Sequence, residues 1–483
     1  MNNRSDFDFI IVGHGAAGLS AAVEFLETAG PERSVAILER SSREERGGAT
    51  AWTGAFLRID EEDRLDSAYE QRLATTSGQG FDPDYVDALR RDTPSALAFL
   101  RRHGVGIAFN PFPFAHTFRG LNPSHEPVAS PDGGGRAIVD RLSETVETDS
   151  RAQLLYQTTA RSLLIEAGRV VGVSVRTRNG EERQLRGERV LLASGGFQGS
   201  QALLAQYVGA DVWMLPLIAP GVHHNRGDAL RMALAVGADT AGNLSGIHAE
   251  PVDSRSVAAD AALYGFSAGI LVDARSDRFI DEGANTWDDL FEKIGYDIWR
   301  NRNQQAYWIG DAHTLDIPHV EASFLSDLPP ILTDTISELA SILGLDPIRL
   351  SRTVDEFNAA TTDQPFDPGR LDGKHTSGLN PEKSHWAVPI NRAPFVAVPL
   401  TAALCFTYGG IRTNTDSQVL SEDGTAIPGL LAAGEATGLY YAEYPPATSV
   451  LRSIVFGRRA GSLAAALPRS VQSGTERPGR VRA

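Results

Sequence analysis

Apolar residues fall in short runs along the chain, and most of these runs stop at glycine. Phe7 to Val12, in FDFIIVGHG, is an apolar stretch that ends at Gly13. A run of this length bounded by a turn predicts a buried strand. The Ala- and Leu-rich AAGLSAAVEFLETAG that follows reads as a helix. Another strand, SVAILER, ends at Glu39 and Arg40; ERVLLASGGFQGS ends in Ser194-Gly195-Gly196, and IPGLLAAGEATG closes on Gly434-Glu435. Farther into the chain the pattern changes. TDTISELASILG and RTVDEFNAAT repeat apolar positions every three or four residues, which predicts amphipathic helices. PDGGGRAIVDRLSETV (131–146) reads as a glycine hinge feeding another such helix. No stretch approaches the roughly 20 apolar residues that a membrane helix needs.

Strand, glycine turn and helix together frame Gly13-His-Gly15-Ala16-Ala17-Gly18, a GxGxxG in the context that gives the motif meaning. Gly13 permits the turn, Gly15 lets a pyrophosphate approach the backbone, and Gly18 lets helix and strand pack closely. The helix N-terminus faces the phosphate charge. Glu39 ends the next strand, where a carboxylate accepts from ribose hydroxyls. The cofactor is FAD or NAD up to this point. RGGATAWTGAFLRI then adds Gly47, Gly48, Ala49, Thr50, Thr53 and Gly54, a second cradle that suits the longer FAD.

These segments resemble the flavoprotein subunits of the fumarate reductase and succinate dehydrogenase superfamily, from about Asp6 to Ala466. RFIDEGAN, LDGKHTSGLNPEKSHWAVPINRAPF, FTYGGI and EYP look closest to the tricarballylate dehydrogenase branch, with features of the 3-ketosteroid Δ1-dehydrogenases. The resemblance implies an α/β fold: a Rossmann-type FAD-binding domain (1–243 and 396–467) and an inserted α+β capping domain (244–395); the polar C-terminus, rich in Pro, Gly and Arg, reads as a disordered tail (468–483). It implies noncovalent FAD, since no histidine lies between residues 15 and 102 and Trp52 stands beside the flavin loop. Ala160, Ser194, Gly195, Asp228, Gly434, Glu435, Ser449, Val450 and Leu451 join the expected cofactor contacts.

The implied activity is desaturation of a C–C bond beside a carbonyl or carboxylate, with a base taking the α-proton and flavin N5 accepting hydride. Three positions depart from the fumarate-reducing pattern. Thr286, Phe406 and Tyr444 stand where the resemblance places an arginine, a histidine and a second arginine. Tyr444, in EYPPATS, is instead expected to meet a substrate carbonyl, although Pro446 and Ala447 narrow the approach. Tyr440 and Tyr441 are expected to pack. His248 and Tyr264 are the other catalytic candidates. Arg58 and Arg255 are weaker carboxylate binders, and FNPFPFAHTFRG (109–120) is a possible apolar wall. His223 and His224 lack a third ligand at workable spacing and read as loop histidines, so no metal is expected.

Composition adds exclusions. A net charge of −16 and a pI near 5.2 argue against nucleic acid or an anionic membrane as a partner. Cys405 is the single cysteine, which excludes an internal disulfide and fits a reducing cytoplasm. The N-terminus reads without a signal peptide. The expected partners are a small-molecule substrate and an unidentified electron acceptor. An amine or alcohol oxidase is the alternative enzyme, and a flavin-binding protein without catalysis is the third reading.

Overall fold

The computed structural model describes residues 6–468, apart from 61, 110–127, 132 and 319. The aromatic segment 110–120 and the tail beyond 468 lie outside the described residues. Strand β1 (Phe9–Val12), helix α1 (Ala16–Thr28) and strand β2 (Val35–Leu38) form where the apolar runs predict them. All eight strand residues are buried, as expected for strands covered on both faces.

Six strands make the first sheet, in the order 418–420, 426–432, 190–192, 9–12, 35–38 and 152–155. Every pair is parallel except the hairpin 418–420/426–432. Helix α1 lies against the C-terminal helix Ser449–Ala466. A side chain at Gly457 or Gly461 would come within 2.3 Å of the Ala17 or Ala21 carbonyl, so only glycine permits that approach.

A second, antiparallel sheet joins Ile247–Asp253, Phe395–Thr407, Ala306–Gly310 and Ile270–Asp273, with Ile331–Thr333 paired to the long strand. The boundary expected at residue 395 therefore falls at the start of a strand that pairs within this second sheet. Period-two alternation divides its side chains between two cores. Ile270, Val272 and Ile309 pack with Leu339, Leu350 and Phe357 of the helices Ile336–Leu343 and Pro347–Ala360. Leu271 and Trp308 face the core that contains Phe291 and Ile294 of the helix Trp287–Asn301.

Candidate active site and cofactor cradle

One continuous cavity runs from the β1–α1 turn to the second sheet, with about 1870 Å³ of empty space when its open mouth is included. Its lining, from the glycine turns to the side chains of the second sheet, suits a long cofactor with a substrate beside it. Among the expected cofactor contacts, Gly13, Gly15, Ala16, Ala17, Glu39, Arg40, Gly47, Gly48, Ala49, Thr50, Thr53 and Gly54 line it. So do Ala160, Ser194, Gly195, Asp228, Gly434, Glu435, Ser449 and Val450. Gly18 and Leu451 are not among the lining residues. Gly18 backs onto the Gly13 carbonyl and Leu451 is fully buried in the helix-side core.

At the cradle the backbone sets the shape. Gly13 has φ +115°, and a Cβ there would stand 2.3 Å from the Ala193 carbonyl oxygen. Thr50 receives the Ala16 N–H at 3.0 Å, joining the second glycine loop to the helix start. Glu39 accepts the Ser41 N–H at 2.7 Å, and burial pushes its carboxyl upward. Arg40 pairs with Asp228.

Glu435 is enclosed, and burial lifts its carboxyl to about 7 against hydrogen bonds from Thr407, Gly196 and Gln198. Asn225 donates to its other oxygen at 3.1 Å. Two side-chain atoms beside the cavity, Ser194 Oγ and His14 Nδ1, are buried with no partner among the described residues. A cradle with glycine walls and unused polar atoms fits FAD.

The other end is built from side chains. His248 and Glu250 sit two residues apart on Ile247–Asp253 and share a face. His248 pairs with Phe406 and Ala249 with Leu404, so Cys405 is the extra residue of a bulge. Helix Trp287–Asn301 brings Trp287, Asp288, Phe291 and Glu292 to the same place at helical spacing. His248 is 1% exposed, with Nδ1 2.5 Å from Glu292 and Nε2 2.9 Å from Glu250. Burial lowers its pKa, but the two carboxylates outweigh burial and lift it to about 9. It is an imidazolium clamped between two acids. Tyr264 donates to the second Glu250 oxygen at 3.2 Å, and Tyr408 to the second Glu292 oxygen at 2.5 Å.

All three catalytic candidates, His248, Tyr264 and Tyr444, line the cavity. Tyr444 packs edge-on to His248 and Phe406 with centroids 4.9 Å away. Its hydroxyl accepts the Thr448 and Ser449 N–H groups at 3.0 and 3.1 Å and donates to Ser449 Oγ. Its polar end is therefore engaged at the start of the C-terminal helix. Tyr440 is fully buried and packs, as expected.

Thr286 bonds Asp288 at 2.7 Å. Arg58 is fully buried and does not line the cavity; it is bonded to Asp66, Asp288 and the Pro446 carbonyl at 2.7–2.9 Å. Arg255 pairs with Asp253 and does not line the cavity. His224, within the short helical turn Pro220–His224, does line it, and burial lowers its pKa to about 4.

Sequence reasoning missed Glu250, Glu292, Asp260, Asn225 and His14. His14 is the first variable position of GxGxxG and Glu250 stands two residues from His248, so both had a local signal. Asp260 and Asn225 reach the cavity, and Glu292 reaches His248, only through the fold. The described residues also contain a His248–Glu250–Cys405 group whose ligand atoms lie within 4.8 Å of one another. Here Glu250 is already bonded to His248.

The FAD binding domain family model matches residues 8–449. A urocanate reductase of Eggerthella lenta is 28% identical, over 96% of this chain and 75% of its own length. A 4-oxocyclohexanecarboxylate 2-dehydrogenase of Sinomonas cyclohexanicum is 26% identical, over 93% of this chain and 91% of its own. The crystal structure of a Rhodococcus jostii 3-ketosteroid Δ4-(5α)-dehydrogenase with 4-androstene-3,17-dione matches with TM-score 0.71 and 25% identity, covering 97% of this chain and 99% of that one. The chain belongs to the FAD binding domain family, within the fumarate reductase and succinate dehydrogenase flavoprotein superfamily.

Proposed function

We propose that the protein is an FAD-dependent dehydrogenase that removes two hydrogens from adjacent carbons of a small carbonyl compound. One observation carries the reading: the cofactor cradle and the buried His248–Glu250 pair open into the same cavity, with Glu292 bonded to His248 outside its lining. When bound, FAD supplies a hydride acceptor. The glycine turns and Glu39 would hold its ribose and phosphates, and Glu435 its flavin side. No histidine in the second cradle is present to attach it covalently.

Glu250 is the proton acceptor in this reading. It faces the cavity, and the His248 imidazolium and Tyr264 hydroxyl hold its two oxygens in place. A general base must stand within hydrogen-bond reach of the proton it takes. His248 donates to Glu250, and the carboxylates of Glu250 and Glu292 together keep His248 charged. Tyr264 orients Glu250, and Tyr444 positions the loop and helix start that border the cavity. At the substrate end Arg58 and Arg72 are already paired with Asp66, Asp288 and Asp289, so a ketone-type carbonyl fits better than a dianion. We take residues 244–395 as the cap over the flavin domain, the cytoplasm as the site of action on the single cysteine, and an unidentified acceptor as the electron sink. No helix among the described residues is long and apolar enough to cross a membrane.

The test is an anaerobic titration of the yellow holoenzyme with saturated ketones, acids and amines, tricarballylate included. Bleaching by a ketone, with a product 2 Da lighter by mass spectrometry, is the expected result. A flavin that dithionite reduces but no carbonyl compound bleaches would contradict it.

A further inference from the structure

One acid at the substrate end has no part in the chemistry above. Asp260 lies between the strands Ile247–Asp253 and Ile270–Asp273 and lines the cavity beside His248, Glu250, Trp287 and Phe406. Its N–H donates to the Ile218 carbonyl at 2.9 Å, and its carboxyl accepts the N–H of Gly54 in the second cofactor loop. The side chain is thus held at the junction of the cap segment and the cradle. Its backbone has φ +56°, a region where glycine would be cheaper. The position keeps a carboxyl there at a conformational cost.

The other charged groups at this end are already matched. Arg58 is spent on Asp66, Asp288 and a carbonyl, and Arg72 on Asp288 and Asp289. His248 is shared between Glu250 and Glu292. Glu250 uses one oxygen on His248 and the other on Tyr264. No described cation pairs with Asp260. Burial and the nearby charge of Glu250 raise its carboxyl well above the usual carboxylate range. A negative ligand would be repelled by this wall, whereas a cation would let Asp260 ionise.

A second feature points to an occupant. Trp287 is 5% exposed and lines the same end, yet its indole N–H has no acceptor among the described residues. It offers a neutral donor for a carbonyl oxygen. Tyr264, Phe291 and Phe406 complete a wall of aromatic rings, whose faces attract cations.

We infer that the substrate is a carbonyl compound bearing an organic cation, an ammonium or protonated nitrogen heterocycle, with its positive charge on Asp260 and its apolar body among the aromatic rings. The inference rests on the reading of this cavity as a flavin enzyme's active site and names the substrate class.

Three probes of similar shape test it on the FAD-loaded protein at pH 7.5: cyclohexylammonium, cyclohexanone and cyclohexanecarboxylate. Calorimetry measures affinity, and the visible flavin difference spectrum reports occupancy beside the cofactor. Cyclohexylammonium is expected to bind at least tenfold more tightly than either other probe and to perturb the flavin. Asp260→Asn keeps an acceptor for Gly54 and should remove that preference without loss of FAD. Asp260→Gly, which suits the backbone conformation, should do the same if the Asn variant folds poorly. Equal or tighter binding of the carboxylate overturns the inference. So does a failure of the ammonium probe to bind, or an ammonium affinity unchanged in both variants. A protein that carries no flavin and takes up none would instead overturn the reading beneath it, which keeps the two failures apart.

Discussion

The two ends of the cavity are built on different principles. The cradle is shaped by backbone, with Gly13 at φ +115° and the Thr50 loop fixed to the start of α1. The substrate end is shaped by charged side chains from a strand, a helix and two loops, drawn around His248. A backbone cradle tolerates side-chain change and fails when a Cβ intrudes. A charge cluster behaves in the opposite way, because each member is buried on the strength of its partners.

The largest effect is expected at the cradle. Gly13→Val places a side chain against the Ala193 carbonyl at a backbone angle that disfavours any Cβ. Flavin content after desalting should fall to roughly a tenth or less, since the strained turn withdraws the phosphate-facing backbone. Retention of full yellow colour would separate the cradle from FAD binding.

Next comes the charge cluster. Glu292→Ala takes one of the two carboxylates from His248 and leaves the Tyr408 hydroxyl without its buried acceptor. Removing one member of such a pair costs about 3–5 kcal/mol, measurable by urea unfolding. FAD stoichiometry should remain intact, which is the contrast with Gly13→Val.

The same cluster gives a pH dependence. His248 rises from its unfolded value of 6.5 to about 9 in the fold. A raised pKa stabilises the native state fully below about 6.5 and loses that contribution as pH climbs through 9. The shift corresponds to about 3 kcal/mol at ~1.4 kcal/mol per pH unit. Unfolding at pH 6 and pH 10 should show this loss in the wild type, and His248→Gln should lack that component.

The smallest change is at the edge between the two ends. Tyr444→Phe removes the acceptor of two N–H groups at the head of the C-terminal helix. A lost cap costs about 0.5–2 kcal/mol, read by denaturant unfolding. A stability change within error, accompanied by a large loss of substrate binding, would give Tyr444 the carbonyl-binding role expected from EYP.

These contrasts explain what the sequence made legible. Glycines at fixed spacing leave a linear trace, so nearly every residue expected at the cradle lines the cavity, and the two exceptions, Gly18 and Leu451, lie behind the wall. Gly18 serves packing and Leu451 serves the core. His248, Tyr264 and Tyr444 were placed through resemblance, and all three reach the cavity. Glu292 could not be found, because only the packing of its helix on Ile247–Asp253 brings it 2.5 Å from His248. Asp260 was hidden for a similar reason: nothing local marks an acid in a loop. The double proline after Tyr444 also gained a meaning from the fold. The Pro446 carbonyl receives Arg58 at 2.7 Å and the Ala447 carbonyl receives the Arg58 N–H at 2.8 Å, so this loop is fastened to the charged wall.

The most direct test is the anaerobic reaction of His248→Gln with whichever carbonyl compound bleaches the wild-type flavin. FAD content would be measured on the same sample. The account predicts one FAD per chain, as in the wild type, with flavin bleaching slowed at least a hundredfold. Bleaching at the wild-type rate would contradict it, because the cluster joined to the cradle by this cavity would then have no part in the reaction.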